Sequence, residues 1–206
     1  AAYLALQRAN VAHGICADVA AAVPVENGLQ LSSRSVMGVD IPIVTLDPSI
    51  QSVADLEGKN VSVGAAGSGV YYNAVDVLGA YGLDIEKDIN PTYQSFGDSA
   101  EALQDGKIDA AFVVAGAPTT AITSLAATKD VYLVSLDDEH MDQLIKDSPY
   151  YSKNTIPASA YGTDEDIRTV AVGVVVVARD DIPAEHIYNL CCCVFENPVS
   201  MQASHA

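Results

Sequence analysis

The chain has 206 residues, of which 50% are hydrophobic and 18% are charged. Its 10 Lys and Arg against 27 Asp and Glu give a formal net charge of -17, which excludes a basic nucleic-acid-binding surface and favours high solubility. The longest apolar run, residues 170–178, is too short to cross a membrane as a helix. The N-terminal residues lack the features of a signal peptide.

The first part of the chain contains few motifs. It begins with an alanine-rich stretch over residues 1–22. Residues 36–46 have an extended pattern, in which Pro42 favours a sheet edge or a segment that crosses between sheets. Ser52 and Asp55 have the spacing of a capping box, which predicts a short helical turn.

The most informative segment extends from Gly58 to Leu78. A β-rich run, Val61–Val63, leads into the glycine-rich turn Gly64–Gly69, and a helical pattern follows that ends near Gly82. Glycine tolerates positive φ and lets the backbone approach a ligand closely. The unpaired N–H groups of a helix's first turn attract anions. The segment therefore predicts the binding of a small, negatively charged group.

Strands and helices alternate over the rest of the chain, apart from a polar connection over residues 148–166. Predicted strands cover Thr92–Phe96, Ile108–Val114, Val131–Leu136 and Thr169–Ala178, and predicted helices cover Ala100–Asp105, the segment opened by Gly116–Thr120, Asp138–Lys146 and Pro183–Glu196. This alternation predicts an α/β fold with mainly parallel sheets.

Three predicted strands in a row end in a small, polar turn that begins a helix. These turns are Gly64–Gly69, Gly97–Ser99 and Gly116–Thr120. Because ligands of open α/β sheets bind at the carboxyl ends of strands, the turns predict one site lined by N–H groups and hydroxyls. The candidate hydroxyls belong to Ser68, Ser95, Ser99, Thr119 and Thr120. The alternative is that each turn is ordinary helix capping.

Nucleotide-binding and hydrolase motifs match this chain poorly. The Gly64–Gly69 turn has GxxGxG rather than GxGxxG spacing, and the chain contains no GxxxxGK[ST] motif. A nucleophile elbow around Ser68 needs glycines where Ala66 and Val70 stand. Ser68 is therefore interpreted as a hydrogen-bond donor rather than a nucleophile.

Two other clusters of reactive residues have ordinary interpretations. The acidic run 137–142, which contains His140, can bind a cation or can complement a helix dipole as an acidic N-terminus. Cys16 and the run Cys191–Cys193 lack the spacing of a metal site and are interpreted as packing residues.

Taken together, these segments resemble the TAXI family, the extracytoplasmic solute receptors of TRAP-type transporters. The resemblance covers about residues 35–190. Its most specific parts are the GSG of residues 67–69 and IDAAFVVAGAP, residues 108–118. It also includes PYYSKNTIP and AYGTDEDIRTVAVGVVVVARDDIPAEHIY.

The resemblance implies a two-lobed periplasmic-binding-protein fold of the second type. Residues 1–57 would form part of lobe 1, residues 58–158 lobe 2, and residues 159–206 the return to lobe 1. The family's first strand and its GTGGxxG turn have no counterpart here, so the N-terminal part of lobe 1 is expected to be missing.

The resemblance also implies a function. The expected ligand is a small carboxylate such as glutamate or glutamine, or another amino acid or dicarboxylate, and the expected partner is a TRAP membrane permease subunit. The expected location is the periplasm or the outer face of the cytoplasmic membrane. The receptor is expected to be a monomer and not an enzyme, without cofactor, metal or nucleic acid.

In this resemblance the ligand's carboxylate contacts N–H groups around Ser68, and closure of the lobes buries the ligand. The candidate ligand-binding residues are Ser68, Gly69, Val70, Tyr71, Asn73, Ser95, Phe96, Gly116, Ala117, Pro118, Thr119 and Asp18. Asp18 is the expected partner of an ammonium group, and Tyr72 lies either in the site or in the core.

Two alternatives remain open at this point. One is an enzyme on a periplasmic-binding-like α/β scaffold, which needs a nucleophile and a base for which the sequence offers no clear pair. The other is a nucleotide-binding Rossmann-like domain, which needs an acidic residue and a glycine spacing that this chain lacks.

Overall fold

The computed structural model describes residues 29–32, 38–173, 176–179 and 182–195. The chain divides into two compact units, and the larger one is Val39–Val172. This unit is broader than the 58–158 lobe expected from the sequence. Asp18, Cys16 and the alanine-rich stretch lie outside the described residues.

Strands and helices alternate along most of the described chain, which confirms the predicted α/β class. The strands are β1 (Leu29–Ser32), β2 (Gly38–Asp40), β3 (Ile43–Thr45), β4 (Asn60–Ser62), β5 (Asn90–Thr92), β6 (Ala110–Phe112), β7 (Tyr132–Leu133), β8 (Tyr151–Ile156), β9 (Ile167–Gly173) and β10 (Val176–Arg179). The helices are α1 (Gly69–Ala80), α2 (Phe96–Gln104), α3 (Thr120–Ala126), α4 (Asp138–Asp147) and α5 (Ala184–Phe195), with 3₁₀ turns at Val53–Leu56 and Ala158–Ala160. Within the described residues, no helix has the length and apolar character that a membrane span requires.

The larger unit is built on a five-stranded sheet with the strand order β5-β4-β6-β3-β7. β4 is parallel to both β5 and β6, whereas β3 is antiparallel to both β6 and β7. Four strands therefore share one direction and β3 runs against them. The expectation of mainly parallel sheets needs correction, because β1 with β10 and β8 with β9 also pair in the antiparallel sense.

Pro42 lies where the chain crosses from one sheet to another, in agreement with the crossing alternative. β2 belongs to the three-stranded sheet β2-β9-β8, and β3 belongs to the five-stranded sheet. The Pro42 carbonyl accepts a hydrogen bond from the Val113 N–H at 3.0 Å. The chain thus passes from β2 to β3 by a short crossing between two sheets, and β3 runs antiparallel to its neighbours β6 and β7.

Local sequence signals mark several element ends correctly. Ser52 caps the 3₁₀ turn Val53–Leu56, and the Asp55 carboxylate accepts from the Ser52 N–H, which completes a capping box. Gly82 follows α1 with a φ of 76°. The Leu83 N–H donates to the Leu78 carbonyl at 2.9 Å, which closes the helix as a glycine at this position predicts.

Three predicted segments differ from the structure. The polar connection 148–166 contains β8, whose four middle residues are exposed at the outer edge of its sheet, so that its apolar signal is confined to the two ends. The predicted strand 169–178 is split between β9 and β10, which belong to different sheets. β5 ends at Thr92, because Ser95 already caps α2 and begins the helix there.

Apolar clusters cover both faces of the five-stranded sheet. One cluster joins Ile43 and Phe112 to α1 and α4, and the other joins Val44 and Ala111 to α2 and α3. Successive residues of a strand point to opposite faces, so β3 and β6 each contribute to both clusters. α1 and α2 are therefore packed on opposite faces of one sheet.

Candidate functional site

The three predicted turns lie at one edge of the five-stranded sheet. β5, β4 and β6 are neighbours and run in the same direction. Their carboxyl ends therefore lead into the turns before α1, α2 and α3 at a common edge, which is the usual place for a ligand in an open α/β sheet. The structure thus brings together the residues around Ser68, Ser95 and Thr119.

The turn before α1 requires glycine at its first position. Gly64 is buried and has a φ of 78°. A Cβ atom on Gly64 would lie 2.5 Å from the Val70 Cβ. The turn therefore packs directly against the first turn of α1, which fixes the direction of the helix N-terminus.

The N-terminus of α1 keeps two backbone donors open. Ser68 is the N-cap, and its Oγ accepts from the Tyr71 N–H at 3.3 Å, while its own N–H donates to the Ala65 carbonyl at 3.0 Å. We find no acceptor for the N–H groups of Gly69 and Val70 among the described residues. The first turn of α1 contains no acidic residue. Its partial positive charge is thus available to an anion.

The N-terminus of α2 is occupied by its own carboxylate. The Ser95 Oγ donates to the Asp98 carboxylate at 2.7 Å and accepts from the Asp98 N–H at 3.2 Å. The Ser99 Oγ, which is buried, donates to the Ser95 carbonyl at 2.7 Å and lies 2.7 Å from the Ser62 Oγ. The hydroxyls of Ser95 and Ser99 are therefore used within the protein.

The turn before α3 is held from the inside by a tyrosine. Thr119 is buried, and its N–H donates to the Tyr161 hydroxyl at 2.9 Å. The Thr119 Oγ1 donates to the Gly116 carbonyl at 2.9 Å and accepts from the Tyr161 hydroxyl at 3.2 Å. The Ala117–Pro118 peptide bond is cis. The hydrogen bonds of Thr119 thus point into the protein and fix the shape of the turn before α3.

Aromatic side chains surround the first turn of α1. The Tyr71 ring contacts Tyr72 edge to face, with centroids 5.4 Å apart, and Tyr93 at 6.0 Å. Tyr72 is 61% exposed, which rules out the core as its position. The Asn73 Oδ1 accepts from the Tyr151 hydroxyl at 2.7 Å. Asn73 is therefore engaged with β8.

Apolar candidates of the other two turns pack into the core. Phe96 and Ala117 both contact the cluster on the α2 and α3 face. Gly116 and Ala117 are half-buried and Pro118 is exposed at the sheet edge. The side chains of these residues cannot form hydrogen bonds, so they can contact a ligand only through apolar surface or backbone groups.

A buried acid that the sequence analysis did not single out lies beside the third turn. Asp40 is 7% exposed, and its carbonyl accepts from the Ala115 N–H at 3.1 Å. Its carboxylate accepts from the Asn154 amide. Burial raises the pKa of Asp40, and the hydrogen bond from Asn154 lowers it in part.

The acidic run 137–142 forms the N-terminus of α4. Asp137 caps the helix, accepts from the Tyr81 hydroxyl at 2.8 Å and lies 2.7 Å from the His140 Nδ1. Burial opposes ionisation, yet hydrogen bonds from His140 and Tyr81 lower the pKa of Asp137 to about 2. Lys153 pairs with Asp138 and Asp142 at 3.2 and 2.8 Å. The run is thus satisfied within the protein, as expected for an acidic helix start.

A cavity of about 340 Å³ is lined by residues that lie outside the three turns. Its walls come from the end of α3, the start of β7 and the segment after Tyr161. None of the predicted ligand-binding residues lines it. Tyr161 connects it to Thr119, because this residue lines the cavity and its hydroxyl accepts a hydrogen bond from the Thr119 N–H.

Residues 40–206 match the NMT1-like family. The chain belongs to the NMT1-like family. This match includes all three turns of the candidate site, together with Asp40 and Tyr161.

Several periplasmic binding proteins are similar to this NMT1-like chain in structure. The aliphatic sulphonate binding protein SsuA of Escherichia coli is 18% identical, with a TM-score of 0.40 over 78% of this chain and 41% of that one. A binding protein of Salmonella typhimurium described as highly specific for arginine is 17% identical, with a TM-score of 0.47 over 86% and 64%. A putative sulfonate-binding protein of Methylobacillus flagellatus KT is 14% identical, with a TM-score of 0.49 over 86% and 46%. The chain therefore spans 41% to 64% of the length of these proteins.

Proposed function

We propose that this NMT1-like protein is an extracytoplasmic solute-binding receptor, which captures a small carboxylate and delivers it to a membrane transporter. The observation that carries the proposal is the open N-terminus of α1. In a chain of net charge -17, its first turn contains no acid and leaves the N–H groups of Gly69 and Val70 without acceptors in the described residues.

The ligand's carboxylate binds these two N–H groups in our proposal. The Ser68 Oγ accepts from Tyr71 and so keeps its own proton for a ligand oxygen. Charge-assisted hydrogen bonds of this kind are short and about twice as strong as neutral ones. Tyr71 and the turn Gly116–Thr119 provide the neighbouring walls.

The finer part of the proposal is that the receptor is of the TAXI type and serves a TRAP permease. It is supported by the sequence resemblance over the GSG turn and IDAAFVVAGAP. Closure of two lobes around the ligand would then present the bound form to the permease. Uptake in proteoliposomes would separate the transporter classes, since a TRAP permease uses an ion gradient and an ABC permease uses ATP.

We also propose that the protein binds rather than converts its ligand. The hydroxyls of Ser95 and Thr119 are engaged in capping and turn contacts. His140, whose ring stacks on Tyr81 just after α1, is hydrogen-bonded to Asp137, the N-cap of α4. The enzyme alternative predicts turnover of the bound solute, which mass spectrometry of the ligand after incubation would detect.

A thermal-shift screen tests the proposed function. A ligand at 100 times its Kd stabilises the native state by about 2.7 kcal/mol, which raises the midpoint of a chain of this size by roughly 5–10 °C. We expect such a shift with glutamate, glutamine or a related carboxylate. A shift with nucleotides alone would contradict the proposal and support the Rossmann-like alternative.

A further inference from the structure

Asp40 is a buried acid with a single neutral partner. Only 7% of the residue is exposed, and its carboxylate accepts one hydrogen bond, from the Asn154 amide. Within the described residues no Lys, Arg or His pairs with it. Its backbone is bridged to Ala115, which places it at the base of the Gly116–Thr119 turn.

The charge of Asp40 has no partner in the described packing. A buried ionised carboxylate is unfavourable unless a cation and further hydrogen bonds compensate it. A carboxylate offers about four acceptor positions, and Asn154 uses one of them. An asparagine at position 40 would accept the same hydrogen bond without the cost of burying a charge. The contacts with the described residues therefore do not require an acid here.

We propose that Asp40 binds a cationic amino group of the ligand, so that amino acids, rather than simple dicarboxylates or sulfonates, are the solute class of this site. This inference rests on the proposed function, since it takes a small solute to bind at the three turns. Asp40 supplies the ammonium contact, whereas the turn before α1 supplies the carboxylate contact.

The spacing of the strands suits a small zwitterion. β4 and β6 are neighbours in the sheet, and Asp40 is bridged to the end of β6 at Ala115. β3 is the other neighbour of β6, and Asp40 precedes it by the short crossing through Pro42. Asp40 and the turn after β4 are therefore separated by two strand spacings, on the order of 10 Å. A small amino acid with one polar contact at each end spans this distance.

Calorimetric titration of the full chain tests the inference with two probes that differ only in the amino group, L-glutamate and glutarate. We expect the unchanged protein to bind glutamate at least about tenfold more tightly than glutarate. Asp40→Asn should weaken glutamate binding by at least about tenfold and should leave glutarate binding within about threefold. Asp105→Asn is the matched control, because Asp105 follows the far end of α2 and pairs with Lys107 at the surface.

The thermal midpoint without ligand separates a binding role from a structural role. If the charge of Asp40 serves binding, Asp40→Asn should keep or raise the midpoint, because it removes a buried charge and keeps the hydrogen bond. A lowered midpoint with unchanged glutamate affinity would overturn the inference and assign Asp40 to folding. Equal binding of glutarate and glutamate would overturn the inference alone. Failure of glutamate, glutamine and glutarate alike to bind the unchanged protein would overturn the proposed function as well.

Discussion

The N-termini of α1 and α2 use the same cap but differ in charge. Both helices begin after a serine whose Oγ accepts from the N–H three residues on, at 3.3 Å in α1 and 3.2 Å in α2. In α2 the Asp98 carboxylate lies at the helix N-terminus and bonds the capping serine. The first turn of α1 contains no acid. A serine cap is therefore common to both, and the absence of an internal anion is what leaves α1 open to a ligand.

α4 extends the comparison to a third helix. Its N-cap is Asp137, and Asp138 and Glu139 follow in the first turn. Acidic residues thus complement the dipoles of α2 and α4 from within the chain. α1 has 12 residues and no acid in its first turn, so an external anion is the group that can complement its N-terminus.

The largest effect is expected from Gly64→Ala, which removes the geometry that α1 needs. The change forces a side chain into a φ of 78° and brings its Cβ to 2.5 Å from the Val70 Cβ. We expect a loss of about 3 kcal/mol in the free energy of unfolding, measured by urea denaturation. Gly69→Ala is the matched control, because no atom lies within 4 Å of its added Cβ. A similar loss in both variants would contradict the role of Gly64.

The second-largest loss of stability is expected from Tyr161→Phe, which alters the turn before α3. Tyr161→Phe keeps the ring but leaves the buried Thr119 N–H without its acceptor, which costs about 1–3 kcal/mol of stability. Tyr150→Phe is the control, because Tyr150 is 39% exposed and surface changes stay within about 0.5 kcal/mol. Equal stability of the two variants would show that the Tyr161 hydroxyl does not hold this turn.

The third prediction compares the two serine caps directly. Ser68→Ala and Ser95→Ala should each lower the free energy of unfolding by about 1 kcal/mol, since each removes an N-cap. Only Ser68→Ala should also weaken carboxylate binding, by about 1 kcal/mol or more, because the Ser95 hydroxyl is used by Asp98. Calorimetry on both variants gives the comparison. Equal loss of affinity would mean that α2 binds the ligand as much as α1 does.

The smallest expected effect is the contribution of Asp137, the N-cap of α4, to the pH dependence of the free energy of unfolding. Its pKa is lowered from 3.8 to about 2 in the folded state, so its stabilisation is complete above pH 3.8 and is lost as the pH falls towards 2. Because 46% of its side chain is exposed, solvent screening limits this contribution to about 1 kcal/mol.

Thermal midpoints of Asp137→Asn measure this contribution. The variant should be less stable than the unchanged protein at pH 7 and should lose less stability between pH 4 and pH 2. Asp130→Asn, an exposed acid of the segment before β7, should follow the unchanged protein at every pH. Parallel pH curves for Asp137→Asn and the unchanged protein would refute the assignment.

Two local structures, the turn before α1 and the Ser52 capping box, could be predicted because their sequence signals are local. The Gly64–Gly69 turn and the Ser52 capping box depend on residues within a few positions of each other, and both are present in the structure. β8 was missed because an edge strand with four exposed residues has the composition of a loop. β5 was placed too late because Ser95 begins a helix where the sequence continues an extended pattern.

Asp40 and Tyr161 were missed for a different reason. Asp40 bonds Asn154, which is 114 positions away in the sequence, and Tyr161 bonds Thr119 over 42 positions. Burial and partners at such separations arise from the tertiary fold. A single acidic residue in an apolar run, Val39-Asp40-Ile41, is the one local signal that pointed to Asp40.

Amide NMR of the full chain during titration with L-glutamate locates the ligand on one helix N-terminus or another. We predict that the largest changes in chemical shift fall on the Gly69 and Val70 amides, whose N–H groups lack acceptors in the described residues. The Phe96 and Gly97 amides of α2 should change little. Changes concentrated on α2, or on the cavity residues Tyr132 and Thr163, with none at Gly69 and Val70, would contradict the assignment of the site to α1.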